Sequence, residues 1–508
     1  MNGGGRARNL ERLRSETFDV LIVGGGINGA GIARDLALRS RRMGLGLKIG
    51  LVDKRHFSSG TSSRNSQLIH GGLRYLKYFE FDLVREALEE RRTLLEIAPH
   101  LVEPLPMLLP FYSGFDRYFY GAGLWLYDQL AGDHNIGRRR YLKPEDVAGI
   151  EPGLTRAQMH SAAIYYDARV HSARLTLENL FEAERLGVAA ANYVEASPWD
   201  GSGQVTATEF FTKEQFPIRA RRIVDARGPW EDSGQVRLVR GSHIIVPGLN
   251  QSQNAIAYFG DDGRIIFVIP WGPDNRLSLV GTTDIDHHGT ADSVHISNEE
   301  VRYLRSVVAR LFPSRADVEP VAAYSSLRPL IVSGSVSATA ASRSHKIWME
   351  GPVLKITGGK YTTYRSMSEE AVDLLYPDTR GECQTAEIAV GGNTPAQFRH
   401  TLAQAPALAA RFERETSDVV RLAHLFGRRT QEMLEAGGVI AWAVKQEMAL
   451  RLPDIMFVST YWGHERHWTA EGLEPLAREM QRRLGWSEER KQEEIRLTLD
   501  IARMPAAV

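Results

Sequence analysis

The chain has 508 residues, which at roughly 150 residues per domain corresponds to about three domains, or to one large discontinuous unit with a smaller one. Hydrophobic residues make up 43% and charged residues 24%, ordinary globular usage that excludes disordered, collagen-like and disulfide-scaffold classes. Sixty-two Lys and Arg balance 62 Asp and Glu, and Cys383 is the one cysteine. No global field therefore favours nucleic acid or an anionic surface, and an internal disulfide or thiolate metal cluster is excluded.

In chain order, the basic start MNGGGRARNLERLRSETF lacks the apolar stretch of a secretory signal and reads as a disordered arm. FDVLIVGGG reads as a strand ending in glycines, GINGAGIARDLALRSRR as a helix, and residues 47–53 as a second strand closing a βαβ unit. A Ser/Gly-rich loop then leads into an amphipathic helix carrying Leu83, Ala87, Leu88, Leu94 and Leu95. FDRYFYGAGLWLYDQL followed by GRRRYL has two readings: an aromatic-rich buried helix beside a solvated charge run, or a seat at a membrane surface. No uncharged apolar run reaches the ~18 residues of a spanning helix. A helix is expected over 173–186, a strand in RRIVDARGPW, then close-spaced strands in GSHIIVP, RIIFVIPW and RLSLVGTTD that suggest an antiparallel sheet. A helix near 298–311 and a strand–glycine turn–helix in GPVLKITGGKYTTYRSMSEEAVDLL follow. Beyond about Thr394 the periods are helical throughout.

Gly24, Gly26 and Gly29 spell G-x-G-x-x-G directly after a strand and opening a helix, where glycines let the backbone approach a pyrophosphate held at the positive helix end. Asp53 ends the second strand 24 residues beyond Gly29, placed to accept from an adenosine ribose hydroxyl. A stand-alone nicotinamide domain would continue with further βαβ units. Here strand–glycine turns return only near residues 228 and 358, so one cofactor clamped by distant segments is expected, and FAD is favoured over NAD. The expected fold class is α/β plus all-α: a Rossmann-like FAD-binding domain interleaved with an antiparallel-sheet substrate domain, then a C-terminal helical domain. Residues 16–395 would form the oxidoreductase region, with FAD-binding segments at about 18–100, 162–235 and 345–394 and substrate segments at about 101–161 and 236–344. Residues 396–508 would be the helical domain.

The segments VGGGINGAGIARD, TSSRNSQLIHGGLRYL, DARGPW, RGSHIIVP, FVIPW, VGTTD, LRPL and GGKYTTYR resemble, in order and spacing, the FAD-dependent glycerol-3-phosphate dehydrogenase family, within the group that includes D-amino-acid, glycine and sarcosine oxidases. The resemblance implies oxidation of sn-glycerol 3-phosphate to dihydroxyacetone phosphate, with electrons passed to a membrane quinone. It also implies a cytoplasmic enzyme peripheral on the membrane, with a homodimer as the expected assembly. For the cofactor it points to Gly24, Gly26, Asn28, Gly29, Asp53, Thr61, Ser62, Gly71, Gly72, Leu73, Gly228, Gly359, Thr362 and Thr363. Proton abstraction falls to His243, a neutral imidazole near its ordinary pKa of about 6.5 being able to accept a proton. Arg328 either assists it or itself activates the hydroxyl. Arg74, Arg343 and Lys360 would hold the phosphate, since a dianion favours several cations, with Tyr75 and Thr282 as neutral partners.

Taken without the resemblance, His243 reads as a structural strand histidine, Arg328 as a charge at a strand end, and Lys360 as the cap of a turn. The chain departs from the family pattern in four places. Gln67 stands where Lys is usual, Arg227 where Thr is usual, and Ser326 where Gly is usual. MFVSTYWGHERHW replaces an Arg-Arg-Thr run. Ser326 is expected to narrow the pocket or to oppose a backbone shape that only glycine tolerates. The alternatives are an oxygen-using glycerol-phosphate oxidase or an amine or amino-acid oxidase of the same fold, and a non-catalytic flavin-bound scaffold.

Overall fold

The computed structural model describes residues 4–199, 201–231, 234, 236–260, 262–331 and 345–505. Its first sheet is built on Thr17–Val23, in which Val20, Leu21 and Ile22 are all fully buried, the mark of a strand covered on both faces. This strand pairs in parallel with Ile49–Asp53 on one side and Gln215–Asp225 on the other. Val353–Gly358 and the antiparallel His345–Glu350 extend the sheet beyond Gln215–Asp225, and Ala189–Asn192 extends it beyond Ile49–Asp53. Helices Ile27–Met43, Ser172–Arg185 and Tyr364–Leu375 contribute Ile32, Leu36, Leu177, Leu180, Met367 and Val372 to one core with Val20, Ile22 and Leu51.

The amino-terminal arm expected to be disordered is instead the helix Gly4–Ser15. Leu10 and Leu13 pack with Phe18, Ala189 and Val205. The Asn9 amide donates to the Ala190 carbonyl at 2.9 Å, and the Arg6 guanidinium donates to the Asn192 carbonyl at 2.8 Å. Two leucines one helical turn apart supply the apolar stripe, which the surrounding charges hide in the sequence.

The second sheet runs Ile285–Asp286, Val236–Pro247, Leu277–Gly281, Ile265–Trp271, Ala255–Phe259, Val102–Phe111, Ser161–Val170, Leu68–Ile69, with Ala322–Ile331 also on Val236–Pro247. It is largely antiparallel, but Ala255–Phe259 meets Val102–Phe111 in parallel. Ser161–Val170 falls within a segment read as FAD-binding, yet it pairs along its whole length with Val102–Phe111. It therefore belongs to the second sheet. Each face of this sheet has its own core, one holding Leu105, Leu124 and Ile269, the other Leu108, Ile266 and Leu304.

The carboxyl-terminal region is helical, with Pro395–Arg411, Thr416–Phe426, Ala470–Leu484 and Glu488–Ala502 as its longer helices. It is fastened to the first unit by buried charge. Arg174 pairs with Glu178 at 2.8 Å and with Glu447, and donates to the Leu425 carbonyl at 3.1 Å, while Glu178 also meets Arg429. Burial of this kind is tolerated because every charge has an opposite partner.

Candidate active site

A cavity of about 420 Å³ opens at the carboxyl ends of the parallel strands, where Val23, Asp53 and Ala226 line it, and extends to the second sheet at Phe267, Thr282 and Arg328. Ligands bind at this end of parallel sheets because the loops and helix amino termini converge there. The turn after Thr17–Val23 demands glycine. Gly24 has φ +112°, and a Cβ there would lie 2.5 Å from the Ala226 carbonyl oxygen. At Gly29 a Cβ would lie 1.9 Å from the Gly24 carbonyl oxygen. Gly26 caps the helix Ile27–Met43 without any side-chain cap, and the Ile27 N–H donates to Ser62 Oγ at 2.9 Å. Gly228, at φ +60°, would have nothing within 4 Å of a Cβ. A pyrophosphate fits such a cradle. Asp53 accepts from the Gly25 and Arg55 N–H groups at 2.7 and 2.8 Å, leaving lone pairs for a ribose hydroxyl. Burial raises its pKa against those two bonds.

The other wall is made by three neighbouring strands. Val236–Pro247 sets His243 opposite Gly281 of Leu277–Gly281 and opposite Tyr324 of Ala322–Ile331, with Arg328 opposite Val239. The Arg328 guanidinium donates to Thr282 Oγ1 at 2.8 Å, to Asp284 Oδ1 at 2.9 Å and to the Thr283 carbonyl at 3.1 Å. Two glycines make room beneath these side chains. A Cβ at Gly241 would come 2.2 Å from Arg328 Nη1, and one at Gly281 would come 2.2 Å from His243 Cδ2. Buried Glu300 ties the strands together, accepting from Ser242 Oγ and Thr283 Oγ1, each at 2.7 Å. His243 Nε2 is hydrogen-bonded to Ser66 Oγ at 2.9 Å, and its ring stacks on Tyr324 at 5.0 Å. Ser66 lines the cavity, whereas His243 is 1% exposed and stands behind it. Lys360, which also lines the cavity, holds its Nζ 4.2 Å from the centroid of the Tyr75 ring, beside Gly72 at φ +81°.

Residues 19–363 match the family described as FAD dependent oxidoreductase. The chain is 31% identical to the mitochondrial glycerol-3-phosphate dehydrogenase of Rattus norvegicus, over 96% of this chain and 74% of that one. It is also 31% identical to the aerobic glycerol-3-phosphate dehydrogenase of Staphylococcus aureus (strain USA300), over 88% and 87%. It belongs to the FAD-dependent glycerol-3-phosphate dehydrogenase family. The solved structure of the glycerol-3-phosphate dehydrogenase from Bacillus halodurans complexed with FAD superposes with a TM-score of 0.77 at 27% identity, covering 98% of both chains. The family is FAD-dependent, and the glycine cradle and Asp53 present the close-approach backbone and the hydrogen-bond acceptor that such a cofactor takes.

Of the residues inferred from family resemblance, Gly24, Gly26, Asn28, Asp53, Thr61, Ser62, Gly72, Leu73, Tyr75, Gly228, Thr282, Arg328, Gly359, Lys360 and Thr362 line this one cavity. Gly29, Gly71 and Thr363 stand behind it. Gly29 packs under the turn, the Gly71 N–H donates to Tyr127 OH at 2.9 Å, and Thr363 Oγ1 donates to the Lys360 carbonyl at 3.4 Å. Arg343 and the side chain of Arg74 lie outside the described residues. The expected imidazole near pKa 6.5 is not what the structure builds: burial, reinforced by the Arg328 charge, brings His243 down to about 3. Ser326 stands in an ordinary strand opposite Gly241 and has no positive φ, so its backbone asks nothing of glycine there. Arg227 is clamped on its own Asp225 at 2.9 and 2.7 Å. Sequence reasoning missed Ser66, Asp284 and Tyr324. Asp284 was within reach, as the acid closing GTTD, but nothing in the local pattern marks Ser66 as the partner of a histidine 177 residues away.

Proposed function

We propose that this chain oxidises sn-glycerol 3-phosphate to dihydroxyacetone phosphate, with FAD as the hydride acceptor and a membrane quinone as the final one. The observation that carries the reading is the wall on which Arg328, Thr282 and the Ser66–His243 pair meet, with Lys360 lining the same cavity. When bound, FAD supplies the two-electron acceptor for the hydrogen on the carbinol carbon. The protein's work is to place the substrate and to take the hydroxyl proton. Arg328 donors fixed by Asp284 and Thr282 stabilise negative charge growing on the hydroxyl oxygen, as preorganised donors do best. Ser66 Oγ accepts the hydroxyl proton and hands its own to His243 Nε2, an imidazole whose neutral form is favoured by burial and by the Arg328 charge. Its basicity rises when the substrate dianion offsets the Arg328 charge, one of the two causes holding it down. Lys360 serves the phosphate, held in place by the face of Tyr75. A carboxylate substrate needs one cation, whereas this cavity is lined by both Arg328, assigned to the reacting oxygen, and Lys360, which leaves a second cation for a phosphate ester.

Access to a quinone is supported by the helix Gly114–Ala131. It buries Leu124 and Tyr127 while Phe115, Tyr118 and Trp125 are 72, 76 and 53% exposed. Arg117, Arg138 and Arg140 are exposed nearby in sequence. No described helix is long and apolar enough to cross a membrane, and an aromatic face with basic neighbours suits seating on its surface. The reaction is tested by anaerobic titration of the yellow holoenzyme. Bleaching of the flavin band by sn-glycerol 3-phosphate is expected, and bleaching by glycine or sarcosine instead would overturn the reading.

A further inference from the structure

The family match ends at residue 363, yet the helical region beyond it reaches the wall behind the cavity. After the short helical turn Ile455–Ser459 the chain passes through Tyr461 at φ +65°, a residue only 4% exposed. Its ring stacks on His171 at 4.2 Å and 9°. Its hydroxyl donates to the Ser63 carbonyl at 2.9 Å with Gln67 Oε1 at 3.3 Å, accepts from the Ala173 N–H at 3.1 Å, and lies 3.1 Å from Ser172 Oγ. All these partners belong either to the loop 61–67 or to the start of helix Ser172–Arg185.

That same loop presents Ser66 to His243. Its Asn65 carbonyl accepts from Tyr324 OH at 2.7 Å, and the Asn65 amide donates to Ser172 Oγ at 3.1 Å. Tyr324 in turn lies between His243 and His464, with ring centroids 5.0 and 4.9 Å away. Two helical-region residues, Tyr461 and His464, thus bear on both sides of the Ser66–His243 contact. Two of the departures seen in the sequence, Gln67 and MFVSTYWGHERHW, meet at the Tyr461 hydroxyl. A fully buried hydroxyl with its donor and its acceptor both used is a rigid peg, because any motion of the loop leaves polar groups without partners.

We propose that Tyr461 is a positioning residue for the oxidation: it pins the loop 61–67 from behind so that Ser66 Oγ meets His243 Nε2. The inference rests on the roles given to Ser66 and His243 above. Its test is Tyr461→Phe in the holoenzyme, which keeps the ring and its stack on His171 and removes only the hydroxyl. FAD content and the substrate concentration giving half-maximal reduction should stay within about twofold. The limiting rate of anaerobic flavin reduction should fall about tenfold, since misplacement of reacting groups by about 1 Å costs on the order of 100-fold. Combined with Ser66→Ala, the double variant should be no slower than Ser66→Ala alone, because both act through one contact. A limiting rate within twofold of wild type, losses that multiply in the double variant, or a rate loss matched by loss of FAD would each overturn the proposal. Slow Ser66→Ala and His243→Asn enzymes beside a fast Tyr461→Phe would sink this inference alone. Unimpaired Ser66→Ala and His243→Asn would remove the catalytic reading as well.

Discussion

Gly241 and Gly281 set the geometry of the reacting wall by having no side chain. Each lies on a strand directly under a charged or titratable group, and each would-be Cβ falls 2.2 Å from it. Contacts that short require movement of either the strand or the group above. Since the strands are held through Glu300, the flexible guanidinium is what yields at Gly241. Gly241→Ala is therefore expected to bind FAD normally and to lower kcat/KM for sn-glycerol 3-phosphate by about 100-fold, as Arg328 loses Thr282 and Asp284. Steady-state kinetics on the purified variant decide this, and unchanged kcat/KM would show that Arg328 needs no such seat. Neither glycine stood out in the sequence. Gly24, Gly26 and Gly29 were legible because their requirement is local, a turn between strand and helix. The requirement at Gly241 and Gly281 comes from side chains reached across a sheet, as with Ser66 and His243.

Single elements were most readable where their period was strong and their neighbours near. The helix Asn298–Leu311 falls on the predicted span, helped by the Ser297–Glu300 capping box. Ser161–Val170 reads equally well as a strand of either sheet, and only its long pairing with Val102–Phe111 assigns it. The aromatic stretch is not the wholly buried helix of the first reading: Gly114–Ala131 buries Leu124 and Tyr127 and exposes Phe115, Tyr118 and Trp125. On the exposed face, replacing Phe115, Tyr118 and Trp125 together by Ser removes apolar surface worth about 1.5–3 kcal/mol per buried side chain. Co-sedimentation with anionic phospholipid vesicles should fall at least about tenfold in that variant, with flavin reduction by soluble substrate unchanged. Equal sedimentation would count against a membrane seat on this helix.

At the scale of the molecule, the helical region is joined to the first unit through buried polar groups. The Arg174–Glu178–Glu447 cluster and His100 beside Asn393 lie at that junction. His100, His171, His243 and His464 are all brought down to about 3, chiefly by burial. A histidine neutral in the fold and protonated in the unfolded chain contributes stability that is present above its unfolded pKa of about 6.5 and is lost as pH falls toward 3. Buried carboxylates such as Asp53, Asp167 and Glu90 are raised and act in the opposite sense. The histidine term is therefore isolated by a difference. Between roughly pH 7 and roughly pH 5 the stability of His100→Gln should gain on wild type by about 2 kcal/mol in urea denaturation. A constant difference would mean that His100 keeps its ordinary pKa in the fold.

Recognition of a phosphate ester by Lys360 is the step on which the proposed reaction depends. It is tested most directly by following flavin bleaching anaerobically in wild-type holoenzyme with sn-glycerol 3-phosphate and, separately, with glycerol, which carries the same carbinol and lacks the phosphate. Full bleaching is expected with the ester and, at equal concentration, a rate slower by at least about tenfold with glycerol, the one lost charge-assisted contact at Lys360 being worth about 1.5–3 kcal/mol. Bleaching by glycerol at the rate of the ester would contradict it.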